Sequence, residues 1–119
     1  MNACVKHRRS IVILDPQERA RGLERRALRY ARRGDVRKAI VLLRQAANLG
    51  DIARVWVRLG YVLSRDGRIP DALEALRRAL WLHRRSGCVG RARTVAQLIL
   101  AIDPSCPFAA RAAEDLAAA

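Results

Sequence analysis

Arginine is the residue type through which this chain could do most of its recognition chemistry. The 119 residues contain 24 Lys and Arg against 11 Asp and Glu, for a net charge of +13, and 22 of the 24 basic residues are Arg. A guanidinium is planar and donates parallel hydrogen bonds to a carboxylate or a phosphate. The charge balance therefore favours acidic partners and raises the rate of encounter with them.

The distribution of the arginines leaves two interpretations open. They are spread along every predicted helix rather than gathered into one tail, and Lys is nearly absent. This spread favours a largely solvated basic surface, to which coding bias contributes. A nucleic-acid footprint is the alternative, and it implies binding that weakens steeply as salt is added.

The other residue types offer little catalytic or metal-binding chemistry. Cys4 and His7 have half of a zinc-ligand spacing, but no second half lies nearby, and His83 falls on a predicted helix. Cys88 and Cys106 bring the cysteines to an odd total without the spacing of a disulfide framework. The sequence has no Ser/His/Asp or Cys/His set with supporting context and no phosphate-binding glycine loop. We therefore predict no enzyme activity, no metal and no cofactor.

The arginines lie mainly on segments that are predicted to be helices. Six segments carry apolar residues at helical spacing, with short breaks rich in Gly, Asp and Pro between them. No strand pattern competes, so we predict an all-α chain whose neighbouring helices pack antiparallel across short connections. The predicted helices cover about residues 15–33, 36–48, 52–65, 70–84, 90–102 and 107–117.

Local signals mark the ends of the first two helices. Asp15 and Pro16, followed by Glu18, predict a capped start, because Asp accepts a backbone N–H and Pro suits the first helical position. Gly34 predicts a left-handed stop to the first helix, and Asp35 a cap on the second.

The predicted organisation is a basic, flexible leader at residues 1–14 followed by a single helical domain at residues 15–119. The apolar run of residues 11–14 is far too short for a signal-peptide core or a membrane span. We therefore expect a cytoplasmic protein without membrane insertion.

One sequence pattern occurs twice, beginning at Gly34 and again 33 residues later at Gly67. Small and apolar residues recur in register after each glycine, and an aromatic motif precedes the second copy. The first copy is Gly34, Ala39, Leu43 and Ala46; the second is Trp56, Leu59, Gly60, Gly67, Ala72, Leu76 and Ala79. This pattern resembles the tetratricopeptide repeat, a helical hairpin of about 34 residues with the signature W-x2-L-G-x2-Y, A-x3-F and P.

The resemblance is strong for two units and weak for a third. Leu63 replaces the usual Tyr, Leu76 replaces the usual Phe, and the closing Pro is absent near Arg84. The spacing from Gly87 to Ala92 repeats the glycine-to-alanine step, but Gly87 follows Gly67 by only 20 residues. Either the fourth helix is the first helix of a new repeat, or the last two helices form a degenerate third hairpin. The second interpretation keeps consecutive hairpins in the same register, and we prefer it. The resemblance thus implies an α-solenoid of about six antiparallel helices with two clear hairpins and one degenerate hairpin.

In this family the first helix of each hairpin lines a concave groove, which implies a cationic groove here with Leu28, Val57 and Tyr61 as its apolar floor. Small residues such as Gly60 and Ala72 would lie at close helix crossings, and Trp56 would pack between hairpins. The implied partner-binding residues are Arg21, Glu24, Leu28, Arg32, Arg54, Val57, Arg58, Tyr61, Arg65, Arg91 and Arg93.

The resemblance implies a protein–protein interaction module, an adaptor or chaperone-like scaffold that binds an acidic or amphipathic segment of a partner. The Lys and Asn set with which some members grip a C-terminal carboxylate is absent. Besides nucleic-acid binding, a further alternative is self-association through the last helix, where Phe108, Ala112 and Leu116 lie one turn apart.

Overall fold

The computed structural model describes residues 15–118, and this part of the chain is all-α, with six helices and no strand. The predicted leader at residues 1–14, with Cys4 and His7, lies outside the described residues. The all-α class and the number of helices are confirmed. The helices are α1 (Pro16–Arg32), α2 (Val36–Gly50), α3 (Ala53–Arg65), α4 (Ile69–Arg85), α5 (Val89–Ile102) and α6 (Pro107–Ala117).

Both predicted N-terminal caps are confirmed. Asp15 accepts a hydrogen bond from the backbone N–H of Glu18 at 2.8 Å, and Pro16 is the first residue of α1. Asp35 accepts from the backbone N–H of Lys38 at 3.2 Å at the start of α2. Each carboxylate satisfies a donor that has no partner within its helix and places a negative charge at the positive end of the helix dipole.

The same glycine turn follows α1, α3 and α4. Gly34, Gly67 and Gly87 have φ values of 84°, 80° and 74°, in the left-handed region that other residues adopt at a cost. The next residue in each turn donates its N–H to a carbonyl five positions earlier: Asp35 to Tyr30, Arg68 to Leu63 and Cys88 to His83, each at 2.9 Å. This is the hydrogen-bond pattern of a Schellman stop, and each turn leads directly into the next helix.

The end of α2 differs from the prediction. The helix continues to Gly50, two residues beyond the predicted end, and Asp51 adopts the left-handed conformation with φ 48°. Gly50 lies instead against α1, because a Cβ built there would lie 2.8 Å from the Cβ of Ala20. A glycine read from the sequence as a breaker therefore permits a close helix contact.

The helices pack on one another in chain order, and the contact is most extensive between α1 and α2 and between α3 and α4. The buried residues are mainly Ala and Leu, which permits closer approach between helices than bulky aromatic side chains would. They form two clusters, one that includes Leu43 and Leu63 and one that includes Leu80 and Ile99. Trp56 is half-buried and packs against both clusters.

The closest crossing between α3 and α4 lies at Gly60. A Cβ built on this residue would lie 2.8 Å from Cγ of Leu76 and 3.3 Å from the carbonyl oxygen of Ala72. Carbon atoms in van der Waals contact are about 3.5–4.0 Å apart, so the site has no room for a methyl group. The predicted role of Gly60 in helix packing is confirmed.

Helix α6 does not present the predicted face. Ala112 and Leu116 are buried with Ala109, whereas Phe108 is 45 % exposed. The buried set follows the spacing i, i+3, i+7, and this leaves residue 108 beside the buried stripe rather than on it. The large apolar side chain that α6 leaves exposed is therefore Phe108.

We expect Gly60→Ala to lower the free energy of unfolding by about 1–2 kcal/mol. The overpacking at Leu76 costs about 1–3 kcal/mol, and the better helix propensity of Ala offsets part of it. Gly22→Ala is the matched control, because a Cβ at Gly22 would meet only Nη2 of Arg25, at 3.9 Å. Urea denaturation followed by circular dichroism measures both variants. Equal stabilisation of both would contradict the close crossing.

Candidate functional site

Alternate helices α1, α3 and α5 share a face that contains two adjoining pockets. The α1–α3 pocket is rich in Arg, whereas the α3–α5 pocket has an apolar wall, and Arg54 lines both. The α1–α3 pocket is lined by Arg21, Glu24, Arg25, Leu28, Arg54 and Arg58. The α3–α5 pocket is lined by Arg54, Val57, His83, Arg91, Thr94, Val95 and Leu98.

A buried carboxylate organises the α1–α3 pocket. Glu24 is only 5 % exposed and is the one buried charged residue among residues 15–118. Arg54 donates to it through two nitrogens, Nη2 to Oε1 at 2.7 Å and Nε to Oε2 at 3.2 Å. Nε of Arg58 lies 2.8 Å from the same Oε2. Glu24 of α1 is therefore held by two arginines one turn apart on α3.

The two arginines retain capacity to bind a further anion. The hydrogen bond to Glu24 raises the pKa of Arg54 above its ordinary value, against the opposing effect of burial, so this guanidinium stays charged. Each guanidinium has about five N–H donors, whereas one carboxylate offers about four acceptor positions. Arg54 and Arg58 are also 51 % and 41 % exposed, so part of each reaches solvent.

The α3–α5 pocket combines an apolar wall with a basic rim. Val57, Val95 and Leu98 supply the apolar surface, and Arg54 and Arg91 supply the charge. Its volume is about 390 Å³, within the range of pockets that hold ligands. His83 reaches this pocket from the end of α4, and its pKa is lowered, first by burial and then by repulsion from Arg91.

The structure brings together seven of the predicted groove residues and leaves four apart. The seven that line the two pockets are Arg21, Glu24, Leu28, Arg54, Val57, Arg58 and Arg91. The four that line neither are Arg32, Tyr61, Arg65 and Arg93. Tyr61 is 59 % exposed; its hydroxyl accepts a hydrogen bond from Nη1 of Arg65 at 2.9 Å, and the Arg65 guanidinium lies 5.6 Å from the ring centroid.

Two of the predicted groove residues bind other groups within the chain. Glu24 lines the α1–α3 pocket, but both of its oxygens face Arg54 or Arg58. Arg93 turns away from the groove and donates through Nη2 to the carbonyl of Leu116 on α6 at 2.8 Å. Two residues along a helix is a rotation of about 200°, so Arg91 and Arg93 point in nearly opposite directions.

Sequence reasoning missed five of the lining residues. Arg25 follows Arg21 by one helical turn, a spacing that could have identified it. Thr94, Val95 and Leu98 follow Arg91 at helical spacing and could have been found in the same way. His83 carries no such signal, because it belongs to α4 and reaches the α3–α5 pocket only through the packing of α4 against α5.

A second surface, which we call the aromatic face, is formed by Asp51, Trp56, Arg78, Trp81 and Phe108, which line one open pocket. Asp51 accepts hydrogen bonds from Nε1 of Trp56 at 2.9 Å and from Nε of Arg78 at 3.0 Å, and it also pairs with Nη2 of Arg78. Chiefly through the Arg78 hydrogen bond, the pKa of Asp51 is lowered despite some burial. Arg78 and Arg85 lie 4.6 Å and 5.0 Å from the ring centroid of Trp81.

Within residues 15–118, no group of three or more His, Cys, Asp and Glu side chains is placed to hold a metal ion. None of the described helices has the length and apolar character required to cross a bilayer. No family model matches this chain, and comparison with curated proteins finds no match.

We expect Glu24→Gln to lower the free energy of unfolding by about 1–2 kcal/mol. Removing one partner from a fully buried ion pair costs about 3–5 kcal/mol, and the smaller figure here reflects the access of Arg54 and Arg58 to water. Glu74→Gln is the control, because Glu74 is exposed on α4 and such surface changes stay within about 0.5 kcal/mol. Urea denaturation at low salt measures both variants, and equal losses would argue against an organising role for Glu24.

We expect Asp51→Asn to lower stability at pH 7 by about 0.5–1 kcal/mol, the size typical of an exposed ion pair. Asn keeps a side chain that tolerates the left-handed backbone. The Asp51 carboxylate has a lowered pKa, so its stabilisation is complete above its ordinary value of 3.8 and is lost as pH falls through the lowered value. The difference between wild type and variant should therefore shrink below about pH 4.

Thermal unfolding from pH 7 to pH 2 tests this dependence. Asp66→Asn is the control for the change in net charge, because Asp66 is exposed at the end of α3. A difference between Asp51→Asn and wild type that stays constant down to pH 2 would contradict the expected loss.

Proposed function

We propose that this chain is a tetratricopeptide-like solenoid with two clear hairpins and one degenerate hairpin, and that it works as a protein–protein interaction module rather than an enzyme. Its groove, formed by the α1–α3 and α3–α5 pockets, binds an acidic or amphipathic segment of a partner protein. A cationic pocket and an apolar-walled pocket adjoin here and share Arg54, and this is the main support for an acidic or amphipathic ligand.

The repeat architecture is supported by small residues at the expected crossing. Gly60 lies against Leu76 and Ala72, the positions that the family pattern gives to the closest contact between the two helices of a hairpin. The ion pairs of Glu24 with α3 join the first helices of consecutive hairpins, the arrangement that a solenoid requires.

The extent of packing favours one of the two registers left open by the sequence. The turn at Gly87 repeats the geometry of the turns at Gly34 and Gly67, which would suit a hairpin of α4 and α5. However, α4 packs more extensively on α3 than on α5. This difference supports α3 with α4 as the second hairpin.

The charge of the groove supports an acidic ligand. Arg21, Arg25, Arg54 and Arg58 surround a single carboxylate in the α1–α3 pocket, and Arg91 adds a further cation at the α3–α5 pocket. Clustered guanidinium groups repel one another, and a bound carboxylate relieves that repulsion. The same groups accelerate the encounter with an acidic segment at low ionic strength.

We expect Arg21→Glu with Arg91→Glu to abolish partner capture from an extract of the native cell, read by quantitative mass spectrometry. This pair reverses one cation in each pocket and leaves the partners of Glu24 intact, so the fold should persist by circular dichroism. Arg37→Glu with Arg111→Glu is the matched control, because both residues are exposed and line neither pocket. Equal capture of the partner by the two double variants would contradict a partner-binding role for the groove.

A second candidate function is the binding of single-stranded nucleic acid at the aromatic face. Trp81 and Phe108 are exposed, and Arg77 lines the same pocket, in which Arg78 is paired with Asp51. Exposed aromatic rings stack on bases, and nearby guanidinium groups neutralise phosphates. We expect any such binding to fall steeply between about 50 mM and 200 mM salt and to weaken in Trp81→Ala. Fluorescence anisotropy with a labelled single-stranded RNA tests it, and no binding at low salt removes this candidate.

A further inference from the structure

We infer, building on the proposed function, that the groove recognises two neighbouring side chains of one partner segment. A carboxylate enters the α1–α3 pocket, and a large aliphatic or aromatic side chain enters the α3–α5 pocket. The ligand class is therefore a short segment in which Asp or Glu stands at a set distance from a large apolar residue.

The α1–α3 pocket is built for one additional carboxylate. Its four arginines face a single acidic residue, Glu24, so the lining carries an excess of three positive charges. Because Glu24 is buried against Arg54 and Arg58, those two guanidinium groups are held in place before a ligand arrives. Fewer side chains must then be ordered on binding, and this preserves affinity.

Arg21 and Arg25 complete this pocket from the other side. They are exposed and one helical turn apart on α1, just as Arg54 and Arg58 are one turn apart on α3. A carboxylate between the two helices would therefore meet guanidinium groups from both, and the forked geometry of Arg favours it over a neutral amide.

The α3–α5 pocket is suited to an apolar side chain instead. Val57, Val95 and Leu98 come from two helices and form one surface, and Leu98 is 40 % exposed. Arg54 and Arg91 lie at the same opening and are placed to contact the backbone or the flanking acidic residues of the segment. Covering the exposed Leu98 with a Leu, Ile, Met or Phe side chain removes apolar surface from water.

The width of α3 sets the distance between the two subsites. The pockets lie on the two sides of α3, so their centres are separated by about the diameter of one helix with its side chains, about 10 Å. An extended segment rises about 3.3 Å per residue, so it would place the acid and the apolar residue about three positions apart. In a helical segment with a rise of about 1.5 Å per residue, the separation would be about seven positions.

A displayed library of random dodecapeptides, selected on the immobilised full chain, tests the inference. We expect enriched sequences to combine Asp or Glu with a large apolar residue at a separation of about three or about seven positions. The best sequence, synthesised with fluorescein, should lose affinity on the order of tenfold when its acid is changed to the amide. Changing its apolar residue to Ala should have an effect of similar size.

Double-mutant cycles then assign each side chain to its pocket. The acid-to-amide change should be strongly non-additive with Arg21→Gln plus Arg25→Gln, and additive with Leu98→Ala. The apolar-to-Ala change in the peptide should be strongly non-additive with Leu98→Ala, and additive with Arg21→Gln plus Arg25→Gln. These positions are at least 40 % exposed or lie on the solvent side of α1, so circular dichroism should show intact helices in every variant.

Some outcomes of these experiments would contradict only the two-subsite inference, and others would contradict the proposed function as well. Enriched peptides that bind the groove but lack either side chain, or whose couplings are reversed between pockets, would overturn the two-subsite inference and leave the interaction module standing. If no peptide is enriched, or if the enriched peptides bind the Arg21→Glu and Arg91→Glu variant as well as wild type, both are overturned.

Discussion

Close approach between helices is the constraint on which the rest of this structure depends. The chain has five aromatic residues, and its core is mainly Ala and Leu, so stability must come from many short contacts between helix backbones. Gly50 and Gly60 mark two places where even one methyl group would collide with a neighbouring helix. These crossings fix α1 against α2 and α3 against α4, and α1 and α3 carry Glu24 and the arginines that pair with it.

Glu24 is an exception in this mainly apolar core, because it is both buried and charged. A charged group is costly to bury unless it is paired, and Glu24 is paired with two arginines from another helix. The arrangement uses one negative charge to hold two positive charges at fixed positions near the surface. The same residues thus link α1 to α3 and line a basic pocket.

The two faces of the molecule differ in how their charges are used. In the α1–α3 pocket four arginines line the surface with a single carboxylate, that of Glu24. On the aromatic face, Asp51 binds Arg78, and Arg78 and Arg85 lie close to the ring of Trp81, so most of the local charge is already engaged. A high net charge alone does not distinguish these surfaces; the pairing of individual side chains does.

The local structure of this chain follows from short-range sequence signals. Helix periodicity, the caps at Asp15 and Asp35 and the left-handed glycines act within a few residues, so the six helices could be predicted to within about two residues at their ends. The tertiary structure decided which neighbours share a pocket. Glu24 and Arg54 are 30 residues apart, and His83 reaches the α3–α5 pocket from another helix. Periodicity assigns a residue to a face of its own helix, but the crossing of helices determines what that face meets.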